Sequence, residues 1–326
     1  MPNEPFHPLD LSQVRRIPLA SRQNKVKLAH FARVGQRGMT VADFLAGLPH
    51  QLAAEDFRAV VEAVIQAHRR GKPVLWAMGA HVIKCGLSPL VIELMRRQVI
   101  SLVAMNGAGA IHDVEVALIG ETSEDVAQGL ETGLFGMAEE TGRLINQCVN
   151  EAWGGGRRGG FGMGPLLGRK LLVEEAPYNH FSLLAWGARL KIPVTVHLTL
   201  GADVTHMHPD ACGGALGAAS FHDFGLLAGA AARLGDGGVY FNVGSAVVLP
   251  EVFLKALTLA RHLGHDVKNF TTVNLDMQQH YRPLQNVVRR PIQAGGKGYA
   301  LTGHHELLLP LLVQAIIERL DDTKTI

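Results

Sequence analysis

Two short apolar runs, residues 74–78 and 100–105, constrain this chain more than any other feature. Each has the length of a buried strand, and each ends in small residues followed by polar ones, Gly79-Ala80-His81 and Asn106-Gly107-Ala108-Gly109. Between them, residues 88–98 place Leu90, Val91, Leu94 and Met95 on one side, the spacing of an amphipathic helix. Strand, helix and strand in so short a space make a parallel βαβ unit with a right-handed crossover. In sheets of such units ligands bind at the carboxyl ends of the strands, where glycine lets a phosphate or base approach the backbone. The first expectation is an α/β chain with a ligand crevice along that edge.

The rest of the chain repeats the pattern. Phe57, Val60, Val61, Val64 and Ile65 recur at helical spacing before Gly71-Lys72-Pro73 ends their helix. Further helices are expected over 137–151, 182–190, 221–234, 251–263 and 305–320. Further strands are expected over 192–200, 238–244, 270–274 and 299–302, with a loop over 289–298. Five strand ends carry the same small or polar signature: Met78/Gly79, Met105/Asn106, Leu200/Gly201, Val243/Gly244 and Val273/Asn274. One glycine turn means little, but this recurrence describes a single crevice along one edge of a parallel sheet. Residues 1–38 hold prolines and scattered bases and read as an N-terminal arm that packs on a neighbouring subunit. Residues 39–320 read as one α/β domain, and 321–326 as a polar tail.

At 326 residues, 47% hydrophobic and 18% charged, the chain is long enough to bury a sizeable α/β core. A net charge of +2 with both signs interspersed presents no basic face, so nucleic acid is not an expected partner. No run of about eighteen apolar residues suggests a membrane span. Three cysteines, Cys85, Cys148 and Cys212, are odd in number and widely spaced, which favours a reducing, cytoplasmic setting over a disulfide framework. The glycine-rich run 154–164 lacks the Gly-Lys-Ser/Thr ending of a phosphate loop and follows no strand, so it reads as a surface loop. A nucleophile elbow of the G-x-S-x-G type is also absent.

Histidine is the abundant titratable residue, with sixteen copies. His112, beside Asp113 and just past a glycine turn, suits general acid–base work if the carboxylate fixes its tautomer. His206 and His208 form an H-x-H pair with Asp203 close by, which opens the alternative of a metal-dependent hydrolase. Neither Asp210 nor Cys212 completes a familiar zinc spacing, and no metal ligand set is assigned. Lys297, in Gly295-Gly296-Lys297-Gly298, could form an imine with a carbonyl-like substrate if it were desolvated. His304-His305-Glu306 precedes the last helix, where a polar group can cap and a ligand can meet free amide N–H groups.

Gly79-Ala80-His81-Val82-Ile83-Lys84-Cys85-Gly86-Leu87, followed about twenty residues on by Asn106-Gly107-Ala108-Gly109-Ala110-Ile111-His112-Asp113, resembles the deoxyhypusine synthase family. The resemblance extends over residues 70–320 through the strand into Gly201, the Gly244-Ser245 turn, the strand tip at Asn274 and Asp276, and Leu307 to Leu312. It implies a Rossmann-like parallel sheet with helices on both faces, NAD as cofactor, and homotetramers with active sites between paired subunits. In that family an aminobutyl group passes from spermidine to a protein lysine through an imine. Carried over by position, Ala80, His81, Val82, Ile83, Lys84, Asn106, Gly107, Ala108, Gly109, Asp203, Gly244, Ser245, Asn274, Asp276 and His304 would line NAD. His112, Asp113, His206, His208 and Lys297 are the candidate catalytic groups. The departures fall on the substrate side: Ile111-His112 stands where the family has an acidic pair, and its Trp-Gly-Lys motif is missing. The resemblance therefore implies an NAD-dependent enzyme with a rewritten pocket for a small polyamine-like substrate. A non-catalytic NAD-binding protein is a further alternative.

Overall fold

A computed structural model describes residues 6–154 and 161–320. Of the expected glycine-rich surface loop, residues 155–160 lie outside the described residues, as does the expected polar tail. The strands are β1 (Val74–Met78), β2 (Leu102–Asn106), β3 (Val194–His197), β4 (Val239–Val243), β5 (Phe270–Asp276) and β6 (Gly296–Thr302). They pair in the order β3-β2-β1-β4-β5-β6, every pair parallel. This is the α/β, Rossmann-like sheet expected from the sequence. The chain builds outward from β1 to β3, then returns to the other side of β1 for β4 to β6. Strand order reverses between β1 and β4, the point where such sheets open a crevice at their carboxyl ends.

β1 is buried along its whole length. A central strand covered on both faces reads as an unbroken apolar run, which is why it stood out in the sequence. Its side chains alternate between two cores. Val74, Trp76 and Met78 join Val103, Met105, Phe241 and Val243 on one face, while Leu75 and Ala77 join Ala104, Tyr240 and Phe253 on the other.

The helices follow from the same logic. α1 (Val41–Gly47) and α2 (Leu52–Arg69) precede the sheet, and α2 buries the apolar stripe read from the sequence. α3 (His81–Lys84) and α4 (Ser88–Arg96) connect β1 to β2. β2 runs directly into α5 (Gly107–Ile119), and α6 (Val126–Thr132), α7 (Glu139–Gly154), α8 (Met163–Val173) and α9 (Leu183–Leu190) fill the way to β3. α10 (Gly213–Ala231) leads to β4, α11 (Val248–His262) to β5, and a single turn, α12 (Tyr281–Pro283), starts the path to β6. α13 (His305–Ile317) closes the described chain. Residues of α10 and α11 cover one face of the sheet; α2, α4, α8, α9 and α13 cover the other. The expected arm shows three short 3-10 turns and stays exposed over residues 6–29.

Four segments depart from the sequence reading. α5 begins directly after the last residue of β2 rather than after a polar turn, because that residue, Asn106, caps it, its Oδ1 accepting the Gly109 N–H at 3.0 Å. α10 begins at Gly213, not at Phe221; burial of Ala215, Leu216 and Ala219 outweighs a glycine penalty of about 1 kcal/mol per residue. β3 stops at His197 because β2 ends opposite it, and the Leu198 N–H turns to Ser220 Oγ at 3.0 Å. The expected loop 289–298 holds the end of the helical turn Leu284–Arg289, the turn Pro291–Ala294 and the start of β6.

A buried acid ties three elements together. Asp223, 0% exposed on α10, accepts N–H groups from Gly164 at 3.0 Å and Val196 at 2.8 Å, joining α8 and β3. Burial pushes its carboxyl up to about 7 from 3.8. The folded state therefore holds this proton where the unfolded chain has lost it. Stability from Asp223 is present near pH 4 and is lost as pH rises through 7, by a few kcal/mol. Asp223→Asn keeps the accepting oxygen and cannot ionise, so urea unfolding at pH 5 and pH 8 should give a visibly flatter profile. Asp113, raised to about 6 by burial, leaves a residual slope in both proteins. An unchanged slope in the variant would show that Asp223 does not titrate in this window.

Candidate functional site

The centre of the carboxyl edge is set by two glycines. Gly79 N–H donates to the Val243 carbonyl and Gly244 N–H to the Leu275 carbonyl, each at 2.9 Å, so both extend the parallel ladder by one step. A Cβ on Gly79 would run into the Gly244 carbonyl. Gly244 itself holds φ +65°, with the His305 ring 2.8 Å from where its Cβ would stand. Glycine alone meets both demands. His305 opens α13 and is 1% exposed; its Nε2 lies 3.3 Å from the Leu275 carbonyl, and its ring stands edge-on to His81, centroids 5.5 Å apart. α13 thus returns from the outer strand β6 to the middle of the sheet.

Beside this centre lies the first turn of α5. Any side chain on Gly107 would overlap the Asp203 carboxylate, so the loop after β3 packs its acid directly on the helix start. Burial raises the Asp203 carboxyl, opposed by His206 and by the backbone N–H groups of Thr199 and Ala108. Asp203 Oδ2 and His206 Nε2 are 3.9 Å apart, both side chains are about nine-tenths buried, and neither atom has a hydrogen-bond partner. The Gly201 N–H donates to His206 Nδ1 at 3.1 Å, so a neutral ring carries its proton on Nε2. An unused acceptor and an unused donor therefore face one gap. A hydroxyl that donates to the carboxylate and accepts from the imidazole satisfies both.

The other expected residues are distributed less simply. Ala80, His81 and Lys84 reach the surface after β1, while Val82 and Ile83 turn into the core. Ser245 uses its hydroxyl to accept the Leu249 N–H at 3.2 Å, at the start of α11. Asn274 is 0% exposed and short of the strand tip; Asn242 Nδ2 donates to its Oδ1, and its own Nδ2 donates to Gln279 Oε1, each at 2.7 Å. It pins the loop after β5. Asp276 is buried at the tip itself, and His304 is exposed, 3.8 Å from Glu306.

Among the candidate catalytic groups, His112 sits beyond the first turn of α5 with Nδ1 2.6 Å from Thr122 Oγ1 and 3.5 Å from Glu115. Burial raises the Glu115 carboxyl, but hydrogen bonds from His112 and Thr122 outweigh it and leave it below the usual range. Asp113 does not touch this group: it accepts from Ser182 Oγ at 2.5 Å and from the Leu183 and Leu184 N–H groups at 2.7 and 3.0 Å, capping α9. His208 Nε2 donates to the Gly136 carbonyl at 2.8 Å, so the two histidines of H-x-H answer different partners. Lys297 is exposed and pairs with Thr271 at the amino end of β6. Five residues on, the carboxyl end of β6 is about 16 Å away, so Lys297 and the crevice occupy opposite edges of the sheet.

The sequence reading named His305-Glu306 as a ligand-facing helix start and Cys85 within the family-like stretch, but did not bring Cys85 and Glu306 together. Cys85 follows His81 by four residues, one helical turn, a spacing visible in the sequence; its meeting with Glu306 was not, since β6 and α13 supply that residue from the chain's far end. A separate apolar cleft of about 470 Å³ lies against Trp153, Phe161 and Phe221. Its lining is apolar apart from His222.

No protein-family model matches the chain, and no curated protein matches it. Solved structures share its fold. A protein of Entamoeba histolytica, provisionally assigned as a deoxyhypusine synthase, superposes with a TM-score of 0.55 at 8% identity, over 89% of this chain and 97% of that one. A conserved protein of Methanococcus maripaludis, provisionally assigned as LOR/SDH, gives 0.50 at 15% identity, over 82% and 70%. A mutant of AgrE in complex with L-arginine gives 0.50 at 13% identity over 83% of this chain, which spans only 34% of the AgrE chain. At these identities the likeness establishes the fold.

Proposed function

We propose that the chain is an NAD-dependent enzyme whose dinucleotide lies across the carboxyl edge where β1 and β4 part. The observation that carries this reading is the unpartnered pair at the start of α5, Asp203 Oδ2 and His206 Nε2, 3.9 Å apart beside Gly107. An acidic residue holding a ribose hydroxyl is the recurrent device of dinucleotide sites in doubly wound sheets. Asp203 would accept from that hydroxyl and His206 would donate to it. Gly79 and Gly244 bring the turns after β1 and β4 into direct contact at this edge, Gly79 against the Gly244 carbonyl and Gly244 against the His305 ring, which fixes the floor on which the dinucleotide would lie. NAD, when bound, supplies the hydride acceptor.

The reaction class we assign is redox or transfer chemistry through an imine on a small polyamine-like amine. Asp276, at the tip of β5, brings a carboxylate to the edge where a cationic amine would lie. Lys297 takes no part in this scheme, since it sits at the opposite edge. The hydrolase alternative loses its basis, because His206 and His208 do not face a common point. We further assign a homo-oligomer, with the arm packing on a second copy: Phe6, Leu9, Leu11, Leu28 and Val34 are each more than three-quarters exposed. Domain limits follow the sequence reading, an arm to residue 38 and one α/β domain to 320. Among the described residues no helix is long and apolar enough to cross a membrane.

Calorimetric titration with NAD tests the reading. Saturable binding is expected with Kd between about 1 µM and 1 mM. Asp203→Ala, or Asp203→Asn as the gentler change, should weaken it by about 10- to 100-fold, the worth of a hydrogen bond to a charged group. Lys297→Ala should leave it unchanged. No binding at millimolar NAD would overturn the cofactor, and equal losses in both variants would overturn the site; binding without turnover of any amine would leave a non-catalytic NAD protein.

A further inference from the structure

The mouth of the crevice carries a second constellation that the dinucleotide reading does not use. His81 and Cys85 stand one turn apart where α3 ends, Sγ 3.3 Å from Nε2. Glu306, in the first turn of α13, brings its carboxylate to the same place, and the three candidate ligand atoms all lie within 4.8 Å of one another. Among the described residues no other cluster of three His, Cys, Asp or Glu side chains meets that condition. We propose that His81, Cys85 and Glu306 bind a zinc-class divalent cation at the mouth of the carboxyl-edge crevice.

The donor set and its geometry both favour this. Bonds of about 2.3 Å to sulfur and 2.0 Å to nitrogen at a tetrahedral angle place those two atoms about 3.5 Å apart. The His81–Cys85 separation of 3.3 Å is already near that value without any ion. Two ligands at i and i+4 on a helix present one face, the arrangement zinc proteases use for paired histidines. One nitrogen, one sulfur and one carboxylate oxygen suit zinc or cobalt; magnesium and calcium require oxygen alone. Thiolate and carboxylate together balance a doubly charged ion, and three protein ligands leave a fourth position open to water or substrate.

The surroundings hold these groups in place. His305, nearly fully buried, stands edge-on beneath His81 and fixes the side of α3 that faces α13. Its Nδ1 has no partner, so a buried acceptor remains beside the cluster. As the sulfur–metal bond forms, the thiol proton leaves to solvent and the carboxylate gains a counter-charge.

Cobalt(II) added to the full chain, purified without chelator and stripped of metal, tests the site. About one equivalent should bind with tetrahedral d–d absorption and a near-ultraviolet thiolate-to-cobalt band. Cys85→Ser should abolish that band, while Cys212→Ser should keep it. Competition with a chromogenic chelator should show zinc affinity falling at least tenfold in Glu306→Gln and in Cys85→Ser. Magnesium should not displace cobalt. All three ligands are exposed or half-buried, so the variants should fold; parent protein should gain thermal stability with zinc, and Cys85→Ser should not. Less than about a tenth of an equivalent bound, or a thiolate band that survives Cys85→Ser, overturns the proposal. NAD titration in EDTA reads the dinucleotide site separately, so either assignment can fail alone.

Discussion

Asp113→Ala should destabilise the protein by about 4 kcal/mol, much of a typical folding free energy. Asp113 is 0% exposed and accepts three hydrogen bonds, from the Ser182 hydroxyl and from the first two N–H groups of α9. Ser182 in turn accepts the Ala185 N–H at 3.0 Å, so one carboxylate organises the whole first turn of that helix. Alanine leaves those donors buried and unanswered, at about 1–3 kcal/mol for each. It also leaves a cavity between α5 and α9. Asp113→Asn retains one accepting oxygen but points an amide N–H at a donor, so an intermediate loss is expected. Guanidinium unfolding measures both. A loss below about 1 kcal/mol in the alanine variant would show that α9 is capped by other means. NAD affinity, measured where the variant remains folded, should change little.

The same residue shows why the sequence was legible in one respect and misleading in another. Buried parallel strands announce themselves as apolar runs, and β1 and β2 were readable on that basis. Their glycine-bearing ends were readable because close approach of two backbones leaves no other choice. Asp113 was read as the partner of His112 because the two are adjacent in sequence and the segment resembled a turn. Once α5 starts at Gly107, adjacent residues project about 100° apart and cannot face one another. His112 turns to Thr122 and Glu115, and Asp113 to α9. Lys297 failed differently. A glycine-rich surrounding suggested a flexible turn, but Gly296 and Gly298 lie within β6, and its direction puts Lys297 at the amino edge. The cluster of His81, Cys85 and Glu306 was illegible for a third reason, since only the return of α13 across the sheet brings the last residue to the first two.

Gly79→Ala should cost about 3 kcal/mol of stability and at least tenfold in NAD affinity, the second large effect. The added methyl has no room: the Gly244 carbonyl carbon stands 3.0 Å from its position and the carbonyl oxygen closer still. Gly244 cannot yield freely, because it is held by its own N–H bond to Leu275, by its positive φ and by the His305 ring behind it. The β1–α3 turn must therefore lift by about 1 Å to restore ordinary contact. That movement carries Ala80 and His81 with it and opens the gap between β1 and β4 through which the dinucleotide is expected to lie. Gly229→Ala supplies the contrast. It makes the same chemical change in the last turn of α10 with nothing within 4 Å of the new methyl, and should stabilise by about 0.5 kcal/mol. Thermal unfolding and NAD titration on the two variants separate backbone clash from the substitution itself. If Gly79→Ala matches Gly229→Ala in both measurements, β1 and β4 are not in close contact at this turn, and the crevice cannot be organised around it.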